Sequence, residues 1–318
     1  MKRLSIFAFV VTLFVSAPPL RAQINKPIYI SLPGPGNVQH LAYVVAKEKK
    51  FYDEMGLTNV SIVVLRGNAM NVQALLSGSV HYSSAFGPSM QAMFKGEQIR
   101  VLLQIFNQIP FGLITRPEIK RLEDLKGQKI AVTFGGSTYS VLQALFVKHG
   151  YNEKFAEYLN IPDNEGKAIA LMQGRAAAAL MAPPTDRPLL KVGDEFKNVP
   201  FSALQAMAKQ VQAEPDMTER MVKAVMKALY WIRANREGSI DIIMKNGRLD
   251  QRDIAASLYD LMRDAYIPAL SPEGVYKRAE LEFAVLKEKP NFKPEQFIDD
   301  RFYKTALKAL ASEPGAKS

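Results

Sequence analysis

Residues 76–89, Leu-Ser-Gly-Ser-Val-His-Tyr-Ser-Ser-Ala-Phe-Gly-Pro-Ser, constrain the chain more than any other stretch. Before them, Met70, Val72, Ala74, Leu75 and Leu76 recur at helical spacing over 69–77, and Gly78 is a natural stop. Residues 80–85 read as a short buried strand, Gly87-Pro88 as a break, and 90–95 as a new helical run. A strand that ends in small residues places backbone amides and little side-chain bulk at the carboxyl edge of a sheet. Open α/β sheets bind ligands at that edge. The arrangement recurs at 133–138, Thr-Phe-Gly-Gly-Ser-Thr, which opens a helix over 139–149.

The rest of the chain extends this alternation. Residues 27–32 form a strand, and the loop 33–37 (Pro-Gly-Pro-Gly-Asn) cannot be helical. A helix follows over 38–50, with Leu41, Val44 and Val45 on one face. A second strand covers 60–65, with Asn68 as the N-cap of the helix after it. Residues 99–106 form another strand. A β-α-β-α-β-α-β order argues for a mostly parallel sheet covered by helices. Residues 107–113 change character and read as a crossing into a second sheet. That region has a strand ending at Val132, an uncertain strand near 156–159, a helix over 165–172 stopped by Gly174, and a small apolar strand over 176–181. Pro183-Pro184 ends that strand abruptly. A second crossing is expected at 199–203. Helices then follow over 215–236, 240–245, 252–266, from Pro272 with Ser271 as cap, over 281–288 and over 302–310.

The amino terminus has its own logic. Lys2-Arg3 precede an apolar run over 4–15, too short to span a bilayer comfortably, and 16–22 are mostly small or helix-breaking. This layout is that of a cleaved secretory signal over 1–22. Cysteine is absent, which removes disulfides, thiolate ligands, a cysteine nucleophile and a lipid-modified cysteine. Loss of Lys2, Arg3 and Arg21 with the leader would lower the formal charge from +10 to +7. No dense Lys/Arg run interleaves with aromatics, so nucleic acid is not an expected partner. The three histidines, His40, His81 and His149, have no metal-binding spacing, and nucleophile-elbow and phosphate-loop motifs are missing. No catalytic residue, metal or cofactor is expected.

Four segments carry a family likeness. Residues 40–57 (HLAYVVAKEKKFYDEMGL), 74–82 (ALLSGSVHY), 122–132 (LEDLKGQKIAV) and, more loosely, 170–178 (ALMQGRAAA) occur in order behind the leader-like segment. Together they resemble periplasmic solute-binding proteins of the taurine/nitrate/sulfonate type, a group that includes binding proteins for thiamine-pyrimidine precursors. Two departures stand out: His81 and Ala177 occupy positions where that family usually has Asp.

The resemblance implies a type II periplasmic-binding-protein fold: two α/β lobes with mainly parallel sheets joined by two crossings. Lobe 1 would hold 23–109 and 201–318, and lobe 2 would hold 110–200. A monomer would capture a small anionic or aromatic/heterocyclic solute by hinge closure and present it to the permease and ATPase of an importer. Helix N-termini suit such a solute. The expected ligand contacts are Ser84, Ala85 and Phe86 on one lobe and Gly136, Ser137, Thr138 and Tyr139 on the other. Asn37, His40, Asn68, Gln108 and Phe111 are further expected contacts, and Pro183 is expected to shape the rim. Two alternatives are an enzyme on the same fold, as in thiamine-pyrimidine synthesis, and a sensory ligand-binding module.

Overall fold

The computed structural model describes residues 22–34, 36–65, 67–183 and 188–316. The expected leader, apart from Ala22, lies outside them. The chain runs β1 (Ile28–Leu32), α1 (Leu41–Glu48), α2 (Phe51–Glu54), β2 (Val60–Val64), α3 (Asn68–Ser77), β3 (Tyr82–Ser83), α4 (Phe86–Phe94) and β4 (Ile99–Phe106). It continues with β5 (Gly112–Thr115), β6 (Lys129–Val132), α5 (Ser137–Lys148), β7 (Glu157–Asn160), α6 (Asn164–Met172), β8 (Ala178–Met181), β9 (Leu190–Lys191) and α7 (Val192–Glu195). It returns through β10 (Ser202–Met207), α8 (Ala208–Ala213), α9 (Pro215–Ala234), α10 (Arg236–Gly247), α11 (Arg252–Met262), α12 (Pro272–Phe283) and α13 (Arg301–Ala309).

Two five-stranded sheets result, ordered β2-β1-β3-β10-β4 and β7-β6-β8-β5-β9. In the first, β1 runs parallel to β2 and β3, while β10 enters antiparallel between β3 and β4. In the second, β6 is parallel to β7 and β8, while β5 is antiparallel to β8 and β9. Each sheet is thus parallel apart from the strands that border the crossings. The strands β1, β4 and β8 are rich in buried Ile, Val, Leu and Ala, as sheets covered on both faces require.

Packing follows residue size. The all-buried β8 is built of Ala178, Ala179, Leu180 and Met181, and with Ala131 and Ala176 it gives Ala170 of α6 a shallow bed. On the first sheet, Phe86, Met90 and Met93 of α4 share an apolar cluster with Val275 and Ala279 of α12, Ile99, Val101 and Ala203. α12 starts as expected, with Ser271 Oγ accepting from the Gly274 amide at 3.0 Å and Pro272 in the first turn.

Several expectations are corrected. α4 begins at Phe86, so Gly87-Pro88 lie inside its first turn and do not break it. A first-turn proline loses no helical hydrogen bond, because that amide has no partner within the helix. Gly67, at φ +101°, takes the cap position that was expected of Asn68, which opens α3 as its first residue. The strand expected over 80–85 shrinks to Tyr82–Ser83. No separate helix covers 281–288: α12 simply runs through to Phe283. Among the described residues no helix is long and apolar enough to cross a membrane.

Candidate functional site

A cavity of about 760 Å³ opens where the two sheets meet. Its walls follow from the strand directions. Pro33 and Gly34 come just after β1, Gly67 after β2, and Ser84 and Ala85 after β3. Thr133 follows β6, Pro162 and Asp163 follow β7, and Ala182 follows β8. Every one of these parallel strands delivers its carboxyl end to the cavity, the position at which open α/β sheets hold ligands. The antiparallel β10 does the reverse, presenting Phe201 from just before its first residue.

Helix starts converge on the same space. Asn37 and His40 precede α1, Phe86 opens α4, Ser137 and Thr138 open α5, and Asn164 opens α6. The positive ends of four helix dipoles therefore point toward one volume, favouring a solute with negative or acceptor groups. Some first-turn donors are already used. The Ala85 amide donates to Ser83 Oγ at 3.3 Å and the Phe86 amide to the Ser84 carbonyl at 2.9 Å. At α6, Asp163 accepts from the Gly166 amide at 2.7 Å, so that acidic group serves its own helix.

Of the residues expected from sequence, Asn37, His40, Ser84, Ala85, Phe86, Phe111, Ser137 and Thr138 line the cavity. Thr138 Oγ1 accepts from the Thr133 amide at 2.9 Å, which folds the 133–138 turn closed. His40 is buried, and its Nδ1 pairs with Ser202 Oγ at 3.0 Å. Burial pushes its pKa down to about 3, so it is a neutral imidazole, and its Nε2 has no partner among the described residues.

Gly136, Tyr139, Gln108 and Pro183 do not line it. Gly136 sits behind as the residue capping α5. Tyr139 turns away to pack on Phe134 and Tyr158, at ring separations of 5.1 and 5.4 Å. Being two residues past Ser137, it leaves the first turn on another side of the helix. Gln108 packs against Gly193 of α7, which has no side chain to exclude it. Pro183 is one residue beyond the lining Ala182 and is half-buried. Asn68 adjoins the lining Gly67.

Lys167, Asp163, Glu165, Gln39 and Phe201 also line the cavity and were not expected. Among the described residues Lys167 is the one arginine or lysine that lines it. It is 2% exposed, and its Nζ donates to the Leu180 carbonyl at 3.3 Å. Burial pulls its pKa down to about 8 against the opposing pull of Asp163. Phe201 meets Phe111 edge-on at 5.2 Å, so the two crossings touch each other through aromatic rings. Among the described residues no group of three or more His, Asp or Glu is placed to hold a metal ion.

Two α/β lobes with a cavity between them, reached by the carboxyl ends of both sheets, define the periplasmic-binding-protein fold. The chain belongs to the family described as NMT1/THI5 like, which matches residues 37–239. A Brucella abortus (strain 2308) protein, provisionally named a binding protein, is 27% identical over 223 residues, covering 66% of this chain and 68% of its own. Among solved structures, the alkanesulfonate-binding protein SsuA from Xanthomonas axonopodis pv. citri, bound to MOPS, is similar at a TM-score of 0.74 and 16% identity. That match covers 88% of this chain and 99% of SsuA. The periplasmic nitrate-binding protein NrtA from Synechocystis PCC 6803 is similar at 0.73 and 14% identity, covering 91% and 90%. The desulfurization enzyme DSZB has the fold too, at 0.62 and 16% identity over 90% and 99%. At these identities the structural likeness speaks for the fold alone.

Proposed function

We propose that this chain is the solute-capturing subunit of an ATP-driven importer, working as a monomer outside the cytoplasmic membrane. The observation that carries this reading is the cavity between the lobes, where four helix starts and the ends of both sheets meet. In this reading lobe 1 holds residues 23–109 and 201–318 and lobe 2 holds 110–200. The crossings act as the hinge, and closure buries the solute for recognition by the permease. Periplasmic relatives, and the leader expected over 1–22, support the location.

The solute we infer has an aromatic or heterocyclic ring and an anionic group. Phe86, Phe111 and Phe201 supply apolar and edge contacts for a ring. Lys167 and the helix starts supply the positive side, and the unpartnered Nε2 of His40 supplies one hydrogen bond. Binding without chemistry is the reading favoured here. The Ser202 hydroxyl beside His40 is fully buried and does not line the cavity, so it is not presented to a solute.

The test is a thermal-shift screen of residues 23–318 against sulfonates, nitrate, aromatic carboxylates, pyrimidines and flavins. A ligand at about 100 times its Kd adds about 2.7 kcal/mol, a shift of several degrees. A hit confined to ring-bearing anions is expected. A hit confined to neutral heterocycles would remove the anionic group from the proposal, and silence from a folded protein would count against solute capture itself.

A further inference from the structure

A short 3-10 turn, Val38–His40, leads into α1, and all three of its residues are buried. The turn is pinned on both sides. Tyr266 Oη donates to the Val38 carbonyl at 2.6 Å, and the His40 amide donates to the Asn37 carbonyl at 3.0 Å. The His40 ring is tied to Ser202, the first residue of β10. Gln39 sits between these anchors. It lines the cavity at 4% exposure, and its carboxamide has no hydrogen-bond partner among the described residues. Asn37 lines the cavity as well, and its side chain is likewise unpartnered among them. The backbone beside Asn37 is bare, since a Cβ on Gly34 would sit 2.8 Å from Asn37 Nδ2.

The other uncharged polar side chains of the cavity already have partners within the protein. Ser84 Oγ donates to the Ser31 carbonyl at 3.3 Å, Thr133 Oγ1 to the Ile161 carbonyl at 3.1 Å and Asn164 Nδ2 to the Ala182 carbonyl at 3.0 Å. Ser137 Oγ accepts from Arg278 Nη2 at 3.1 Å, and Thr138 Oγ1 closes the 133–138 turn. Unspent hydrogen-bonding capacity is therefore gathered on residues 37–40, which follow β1 of the first sheet. The cavity's lysine, Lys167, stands on α6, which follows β7 of the second.

We infer that Gln39 determines specificity at this site by reading a donor–acceptor edge on the ring of the solute, a carboxamide or a lactam. The inference deepens the solute-capture reading given above and rests on it. A carboxamide presents an acceptor and a donor side by side in one plane, so its best match is a second planar group with the pair reversed. Buried without a partner, such a group is costly, and an apolar side chain of similar length would fill the same space without that cost. A solute that supplies both bonds removes the cost. The arrangement also orients the solute. Its anionic group meets Lys167 and the helix starts of the second sheet, while its neutral edge meets the turn on the first, so the two ends rest on different lobes. Because the turn is pinned before the solute arrives, little freedom is lost on binding.

The test is calorimetry with matched probes. Meta- and para-carbamoylbenzoate are each compared with the acetylbenzoate of the same substitution, which keeps the ring, the carboxylate and the carbonyl but replaces the amide NH2 by a methyl group. At least one carbamoyl compound should bind about tenfold tighter than its acetyl counterpart. Gln39→Met should remove that preference and leave the acetylbenzoates within about twofold of their former affinity. Without solute, the urea midpoint of Gln39→Met should stay or rise, because a buried polar group has been relieved. A falling midpoint would mark Gln39 as a structural residue and overturn the inference. Carbamoyl and acetyl probes that bind the unsubstituted protein alike, or a preference that survives Gln39→Met, would also overturn it and leave solute capture standing. Failure of every probe to bind the folded protein would count against both.

Discussion

At the scale of single residues, the cavity is defined by two buried titratable groups held in their less favoured protonation balance. His40 titrates near 6.5 when unfolded and near 3 when folded. Below pH 6.5 the unfolded chain takes up a proton that the folded chain refuses, so stability falls as the pH drops from 6.5 toward 3. The slope from this residue is about 1.4 kcal/mol per pH unit. Urea midpoints measured from pH 7 to about 4.5 should fall less steeply for His40→Gln than for the unsubstituted chain. Equal slopes would mean that His40 is accessible to protons in the folded state. Lys167 is depressed in the same sense, from 10.5 to about 8, so its burial weighs against folding below pH 8 and is relieved as the pH rises toward 10.5. Lys167→Met should therefore stabilise the fold by about 1–3 kcal/mol while weakening an anionic hit at least tenfold. Calorimetry and thermal melts read both halves, and a less stable variant with unchanged affinity would contradict the assignment.

At the scale of elements, glycines separate geometry from space. Gly78 ends α3 in the left-handed region at φ +79°, with open space where a Cβ would stand. Gly78→Ala should cost about 1 kcal/mol, purely from backbone preference. Gly87 has no such conformational need, yet a Cβ would strike Arg278, so Gly87→Ala should cost about 2–4 kcal/mol. Urea unfolding of the two variants decides the order, and a smaller loss at Gly87 would mean that Arg278 moves freely. This contrast also explains what could be read in the sequence. The helix-glycine-strand unit at 70–82 is legible because spacing and a stop residue are local signals. Gly87-Pro88 misleads as a break because its glycine answers to a side chain nearly 200 positions later. Lys167 escaped notice for a related reason: the uncertain strand before it hid a third sheet-to-helix turn, Pro162-Asp163-Asn164, equivalent to the two that were seen. Phe201 could be placed only once Phe111 was seen beside it.

At the scale of the whole molecule, the fold was legible because the α/β alternation, repeated in two regions separated by the crossing over 107–113, leaves few topologies. The position of β10 was not, since no local pattern says which neighbours a returning strand will choose. A solute that closes the cleft should shrink the radius of gyration, and small-angle scattering with and without a screening hit measures this. An unchanged value would argue for a rigid receptor. The inserted antiparallel strand β10 has one further consequence, for the order of assembly. All strands of the second sheet come from one uninterrupted stretch, 112–191, and can pair as soon as that stretch is available. The first sheet cannot join β3 to β4 until β10 arrives, because Gln205 must find Ser83 and Met207 must find Ile99. Such distant pairings are slow. The strands β5–β9 can therefore pair before the sheet that holds β1–β4 is complete, and pulsed hydrogen exchange during refolding should protect β6 and β8 before β3 and β4.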